Sequence, residues 1–260
     1  MASLAHSVLR WLPAGLRRRL RAGRARRQVE QFREADWEWA PIIKRLAAPG
    51  ATVIDVGANI GYLTRLFARW VGPTGRVLAV EPVRETYEIL RAAHAHEHWK
   101  HIHLLHAALS DHGGQGTVRV PDHPGGPENF YEAGLHLAAG AGREEPVELH
   151  TLDDVCRRLD LSPDFIKIDV EGHELPVVVG GMDTVTRLRP ALLIEIKGNP
   201  DDHATPASRL FRLLLDLEYM PHTGFRGRLG SYQPGSPFND LLFLQPRHGA
   251  LFSDPRRTVT

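Results

Sequence analysis

Asp55, Glu81 and Asp169 each close a short apolar run, and the chemistry open to them depends on what those runs become. In Thr52-Val-Ile-Asp-Val-Gly-Ala-Asn-Ile-Gly61 the apolar residues predict a strand buried on both faces. Gly57 and Gly61 let the chain turn sharply after it, so that main-chain N–H groups and the Asp55 carboxylate form a corner that receives polar ligand groups. A second run, Arg76-Val-Leu-Ala-Val-Glu81, ends in an acid that suits a ribose diol, since two hydroxyl donors can meet one carboxylate. A third, Asp164-Phe-Ile-Lys-Ile-Asp-Val-Glu-Gly172, ends in Asp169 and Glu171 with His173 beside them. These three are candidate proton acceptors. Histidine has the matching ordinary pKa for work near neutral pH, whereas either acid needs burial to raise its own. On that ground His173 is the favoured base, with Asp169 fixing the ligands and Glu171 as an orienting partner.

The spacing bears on which nucleoside is held. A G-x-G-x-x-G dinucleotide fingerprint laid from Gly57 needs glycine where the chain has Asn59 and Tyr62. A nicotinamide-dependent oxidoreductase is therefore the weaker alternative. A non-catalytic cofactor-binding or interaction module is the other.

Around these residues the chain alternates strands and helices, which predicts an α/β fold with a parallel sheet. Helices are expected from Ile60 to Val71, Arg84 to His94, about Glu174 onward and Thr205 to Leu217, with Glu38 to Leu46 leading in. Further strands are expected over Ile102 to Ala107, Ala191 to Ile196 (which carries Glu195), and Asp240 to Gln245. Short strands Thr117 to Val120 and Val147 to Thr151 flank a Gly/Pro-rich insertion, residues 121–146, whose Asn129, Phe130, Tyr131 and His136 are candidates to cover an acceptor pocket. Ala107-Ala108-Leu109-Ser110 follows the third strand, where small residues would line a nucleoside base. The tract His94, His96, His98, His101, His103 and His106 spreads over a helix end, a loop and both faces of a strand. Scattered solvated histidines are thus expected rather than a metal site.

At 260 residues and net charge +1, the chain fits one large domain with an appended segment. The charge is uneven: residues 1–34 hold nine Arg against two Glu, which leaves the body mildly acidic and argues against nucleic acid as a partner. Residues 1–35 form the appended segment and 36–260 the domain. In the segment Val8, Leu12, Leu16 and Leu20 recur at helical spacing among arginines, the pattern of a helix that lies on an anionic membrane surface. Cys156 is the only cysteine, which excludes an intrachain disulfide and fits a reducing, cytoplasmic setting, peripheral to the inner face of the membrane if the segment binds there.

Taken in order, DVGANIG, the acid of AVEP, ALSD, TLDDV, FIKIDVEGHE, ALLIEIKG and NDLLFL resemble the FkbM-type methyltransferases over roughly residues 36–246. The resemblance implies a Rossmann-like methyltransferase fold: an open, mostly parallel seven-stranded sheet with helices on both faces and an antiparallel last strand. It implies S-adenosylmethionine as cofactor, bound by Asp55, Gly57, Asn59, Gly61 and Glu81, with Ser110 near the base and Asp169 near the methionine end. It further implies O-methylation of a hydroxyl, the family suggesting a sugar in a glycan or a glycosylated natural product. Because the sulfonium is already a good leaving group no metal is needed, although Asp169, Glu171, Glu195 and the histidines could hold one, carboxylate oxygens suiting magnesium.

Overall fold

In a computed structural model the described residues are 14–95, 99–121, 135, 142–225, 227–236 and 239–252. Strands β1 (Thr52–Val56), β2 (Arg76–Val80), β3 (Ile102–Leu105), β7 (Phe165–Ile168), β8 (Ala191–Glu195), β9 (Met220–Phe225), β10 (Arg228–Ser231) and β11 (Asp240–Leu244) form the main sheet, in the order β10-β9-β11-β8-β7-β1-β2-β3. β3, β2, β1, β7 and β8 pair in parallel, and β11 runs antiparallel between β8 and β9. The antiparallel last strand is thus as expected, but the main sheet has eight strands rather than seven. The eighth, β10, comes from the Gly/Pro-rich segment after β9, which folds back and pairs antiparallel with it at the sheet edge.

Successive side chains of these strands point to opposite faces, so the apolar runs build two cores. Ile54, Val56, Ile166, Ile168, Leu192 and Ile194 enter one cluster, together with Val155, Val177 and Leu214 from the helices on that side. Val53, Val77, Phe165, Ala191 and Leu193 enter the other, with Ile43, Phe67 and Trp70. Helices therefore cover both faces: α2 (Ala40–Leu46) and α3 (Tyr62–Val71) on one, α5 (Leu152–Arg158), α6 (Glu174–Val179) and α8 (Pro206–Asp216) on the other.

Departures from the sequence expectation cluster where backbones meet closely. α3 starts at Tyr62 because Gly61, at φ 97°, is its left-handed N-cap. The helix expected after Glu174 is two, α6 and α7 (Met182–Leu188), broken at Gly180-Gly181. A Cβ on Gly180 would stand 2.0 Å from the Ser110 carbonyl oxygen, so only glycine lets this turn press on that loop. The third strand stops at Leu105, and β4 (Ala108–Leu109) peels away to join β6 (Gly142–His150) and β5 (Gly114–Pro121) in a separate three-stranded sheet. α4 (Arg84–His94) has the expected limits and receives α1 (Ala14–Gln31), whose Ala25 and Val29 pack on Ile60, Ile89 and Ala93.

Candidate active site

Register brings the first pair of charges together. β1 pairs with β7 so that Asp55 lies opposite Lys167, the one charge within an otherwise apolar strand. Lys167 Nζ reaches Asp169 Oδ2 at 3.0 Å, Asp55 Oδ1 at 3.7 Å and the Gly57 carbonyl at 3.1 Å. Burial opposes its charge, but Asp169 and Asp55 outweigh that cost and raise its pKa. Asp55 is fully buried, with Oδ2 accepting from Thr64 Oγ1 at 2.6 Å; burial pushes its carboxyl up against the pull of Lys167. Its Oδ1 has no hydrogen-bond partner among the described residues, and such an atom at the edge of a cavity suits a donor group on a ligand.

That cavity, about 210 Å³, opens at the carboxyl ends of β1, β2 and β7. Asp55, Gly57, Asn59, Glu81, Asp169, Glu171 and His173 all line it, as do Ala107, Ala108 and Leu135 of the insertion. Gly57 turns at φ 77° and Asn59 at φ 52°, and Asn59 Oδ1 accepts from the Ile60 N–H at 2.7 Å, a local bond of the kind that makes asparagine tolerant of this region. Glu81 is held by three donors: Oε2 accepts from the Asn59 N–H at 2.8 Å, and Oε1 from the Val83 N–H at 2.9 Å and Thr86 Oγ1 at 2.7 Å. Burial nonetheless pushes it up to about 7. Oε2 carries only one of these bonds, which leaves it acceptor capacity toward the cavity.

Gly61 and Ser110 do not line the cavity. Gly61 is where α3 meets α4: a Cβ there would stand 2.6 Å from both Leu90 Cδ1 and His94 Cε1. Ser110, 2% exposed, gives its hydroxyl proton to Asp111 Oδ1 at 3.1 Å and lies 3.0 Å from His173 Nε2. Because that hydroxyl has a single proton, its contact with His173 makes the imidazole the donor. His173 is buried at 3% exposure, at the start of α6.

Beyond Asp169 the acids continue across the sheet. Ile168 pairs with Ile194, so Asp169 and Glu195 are neighbours at the ends of β7 and β8. Carboxylate oxygens of Asp169, Glu171 and Glu195 all lie within 4.8 Å of one another. Spacing of this sort suits a hard cation, but ammonium groups already serve it: Lys197 Nζ contacts Glu195 Oε1 at 2.8 Å and Glu171 Oε2 at 3.1 Å, and Lys167 contacts Asp169. Glu171 keeps a left-handed backbone, φ 52°, with its carboxylate on Lys197. Burial raises Asp169, but Lys167 and a hydrogen bond with Glu195 together bring it below its ordinary value. Glu195 moves the other way, pushed up to about 7 by burial and by Asp169. Of the two, Glu195 is therefore the one that takes up a proton more readily.

Lys167 and the proton-holding role of Glu195 are absent from the sequence reading. A lysine inside FIKID was the available signal, since a charge in a doubly buried strand requires acid partners. The histidine tract builds no shared site among the described residues: His94 Nδ1, His101 Nε2 and His106 Nε2 turn to the carbonyls of Leu90, Ala68 and Pro82. Asn129, Phe130, Tyr131 and His136, with His96 and His98, lie outside the described residues.

Comparison with known proteins places this arrangement. The Methyltransferase FkbM domain matches residues 55–226. The 2-O-methyltransferase NoeI of Sinorhizobium fredii (strain NBRC 101917 / NGR234) is 27% identical over 162 residues, covering 57% of this chain and 64% of that protein. The methyltransferase sdnD of Sordaria araneosa is 30% identical over 154 residues, 49% of this chain and 59% of its own length. A protein-L-isoaspartate O-methyltransferase of Triticum aestivum is 34% identical over 86 residues, 31% of this chain and 35% of that one. The match thus spans less than two thirds of each of these relatives. The crystal structure of methyltransferase FkbM from Methylobacillus flagellatus KT aligns at TM-score 0.45 and 18% identity, covering 75% of this chain and 44% of that one. By the domain match, which takes in most of the sheet and every residue lining the cavity, the chain belongs to the FkbM methyltransferase domain family.

Proposed function

We propose that the protein methylates a hydroxyl oxygen of a carbohydrate, in a glycan or a glycosylated natural product, with S-adenosylmethionine as donor. The observation that carries this reading is a second, polar cavity at the end of β8. That cavity, about 300 Å³, is lined by Ile196, the residue after Glu195, and by Asn199, Asp201, Tyr232, Ser236 and Asn239. Carboxylate, amide and hydroxyl groups around one aromatic ring are what a polyol needs, since its hydroxyls must exchange water for protein partners. The 2-O-methyltransferase in the name of one relative supports oxygen as the acceptor atom.

The bound cofactor would supply an activated methyl group on a good leaving group. In this reading Glu81 meets the ribose, Gly57 and Asn59 form the turn beside it, and Asp55 and Asp169 receive the amino-acid end. The chain's remaining work is to align the acceptor oxygen behind the methyl carbon, about 3 to 3.5 Å away, and to take its proton. Formation of S-adenosylhomocysteine with a panel of methyl glycosides tests the reading. Turnover with one glycoside, lost when a single hydroxyl is replaced by hydrogen, is the expected result. Turnover with catechols or carboxylic acids but no glycoside would contradict it.

The arginine-rich N-terminus supports peripheral contact with an anionic membrane. Ala25 and Val29 pack on the domain, while Leu20, Arg24 and Arg27 of the same helix are exposed. None of the described helices is long and apolar enough to cross a membrane.

A further inference from the structure

We infer that Glu195, in its ionised form, is the base that takes the acceptor's hydroxyl proton, with Lys197 as a positioning residue. The inference rests on the methyl-transfer reading above. Sheet order carries the first step. In the reading above, with Glu81 just after β2 at the ribose and Asp169 just after β7 at the amino-acid end, the cofactor would lie across the ends of β2, β1 and β7, and β8 is the next strand in the sheet. Asp169 lines the cofactor cavity with one side and hydrogen-bonds Glu195 with the other. Ile196, the residue after Glu195, is among the residues lining the polar cavity assigned to the acceptor. Glu195 itself lines neither cavity, but its carboxylate lies within 4.8 Å of those of Asp169 and Glu171, which line the first, its chain neighbour Ile196 lines the second, and its side chain keeps 25% exposure.

Charge carries the second step. Four carboxylates, Asp55, Asp169, Glu171 and Glu195, face two ammonium groups, Lys167 and Lys197, and Asp240 adds a further acid as the β11 register partner of Glu195. A proton arriving in this cluster reduces an excess of negative charge. The rival acceptor is His173, which is 3% exposed and has its Nε2 on Ser110. A proton there would place a buried positive charge near the sulfonium. The raised pKa of Glu195, about 7, matches the step. Glu195 takes the hydroxyl proton as the oxygen–methyl bond forms, and the sulfur keeps the electron pair of the bond that breaks. Lys197, 2.8 Å from Glu195 Oε1 and 3.1 Å from Glu171 Oε2, fixes which oxygen is presented.

Two measurements on the full chain test this. Carbon NMR of protein labelled at glutamate carboxyls, saturated with S-adenosylhomocysteine, should show a resonance that titrates near pH 7, is distinct from that of Glu81 and is absent from Glu195→Gln. If Glu195 titrates in the ordinary carboxylate range, the inference is overturned whether or not any glycoside accepts a methyl group. In single-turnover methylation of the accepted methyl glycoside, the wild-type rate should rise through about pH 7. Glu195→Gln should lose roughly 10²-fold or more at pH 8 while binding S-adenosylhomocysteine normally, and His173→Gln should keep the pH rise. A Glu195→Gln enzyme within a few-fold of wild type, or a His173→Gln enzyme whose rate no longer depends on pH, would give the base to His173.

Discussion

The carbonyl oxygen of Asp169 stands 1.8 Å from where a Cβ on Gly57 would be. The turn after β1 and the turn after β7 thus meet backbone to backbone, and the cofactor corner and the proton-handling acids are positioned by one contact. Gly57→Ala must push these turns apart and also strain a residue at φ 77°. It should destabilise the fold and weaken S-adenosylhomocysteine binding at least tenfold. Gly172→Ala, strained at φ 95° with nothing within 4 Å, is the control: it should cost about 1 to 2 kcal/mol in a denaturant melt and leave affinity nearly intact. Equal losses in both would show that strain, not the contact, matters.

Glu81 holds the loop, and in the proposed function it also meets the ribose. Glu81→Ala should lose one or two charge-assisted hydrogen bonds, each about 1.5 to 3 kcal/mol, which is tenfold or more in affinity by calorimetry. Its raised pKa also sets a sign. Below the ordinary value of 4.5 the carboxyl is neutral folded and unfolded alike; as pH rises to about 7 the unfolded chain ionises first, so cofactor-free stability falls. Glu81→Gln should remove this part of the slope, and an unchanged slope would mean that Glu81 does not titrate there.

Lys167 neutralises two acids at once. Lys167→Met leaves Asp55 and Asp169 beside a neutral side chain and should cost roughly 3 to 5 kcal/mol at pH 8. Without the ammonium, both carboxyls titrate above their unfolded values, so the variant should regain stability as pH falls toward 5. Wild-type Asp169, held low, acts in the opposite direction, adding stability above its unfolded value that is lost as acid protonates it. Melting at both pH values distinguishes the two, and a variant no weaker at pH 8 would contradict the pairing.

The main sheet and most of the cavity were legible because strand burial and turn glycines are local properties. Asp55, Gly57, Asn59, Glu81 and Asp169 reach the cavity as their positions at strand ends require. Ser110 and Gly61 were legible as part of the corner but not in their work. That work is set by Gly180 pressing on the Ser110 carbonyl and by α4 pressing on Gly61, contacts between segments far apart in sequence. The eighth strand was hidden for the same reason, since an edge strand is defined by its partner rather than by an apolar run. Glu195 reads in isolation as one more acid, and only its register beside Asp169 shows the surroundings that, with burial, raise its pKa.

The N-terminal helix offers a separable test. Vesicles containing anionic lipid should bind the full chain and release it as salt rises from about 0.1 to 0.5 M, because screened arginine attraction fades with the Debye length. Replacing Arg24 and Arg27 by Gln should weaken this binding and spare that of S-adenosylhomocysteine, since neither side chain is buried. Binding that ignores salt would remove the electrostatic account.

The central claim is the identity of the methylated atom. With S-adenosylmethionine carrying a carbon-13 methyl, two-dimensional NMR of the product formed from the accepted glycoside should show the label as a methyl ether correlated with one ring carbon of the sugar. A label found instead in an ester or on nitrogen would contradict hydroxyl methylation.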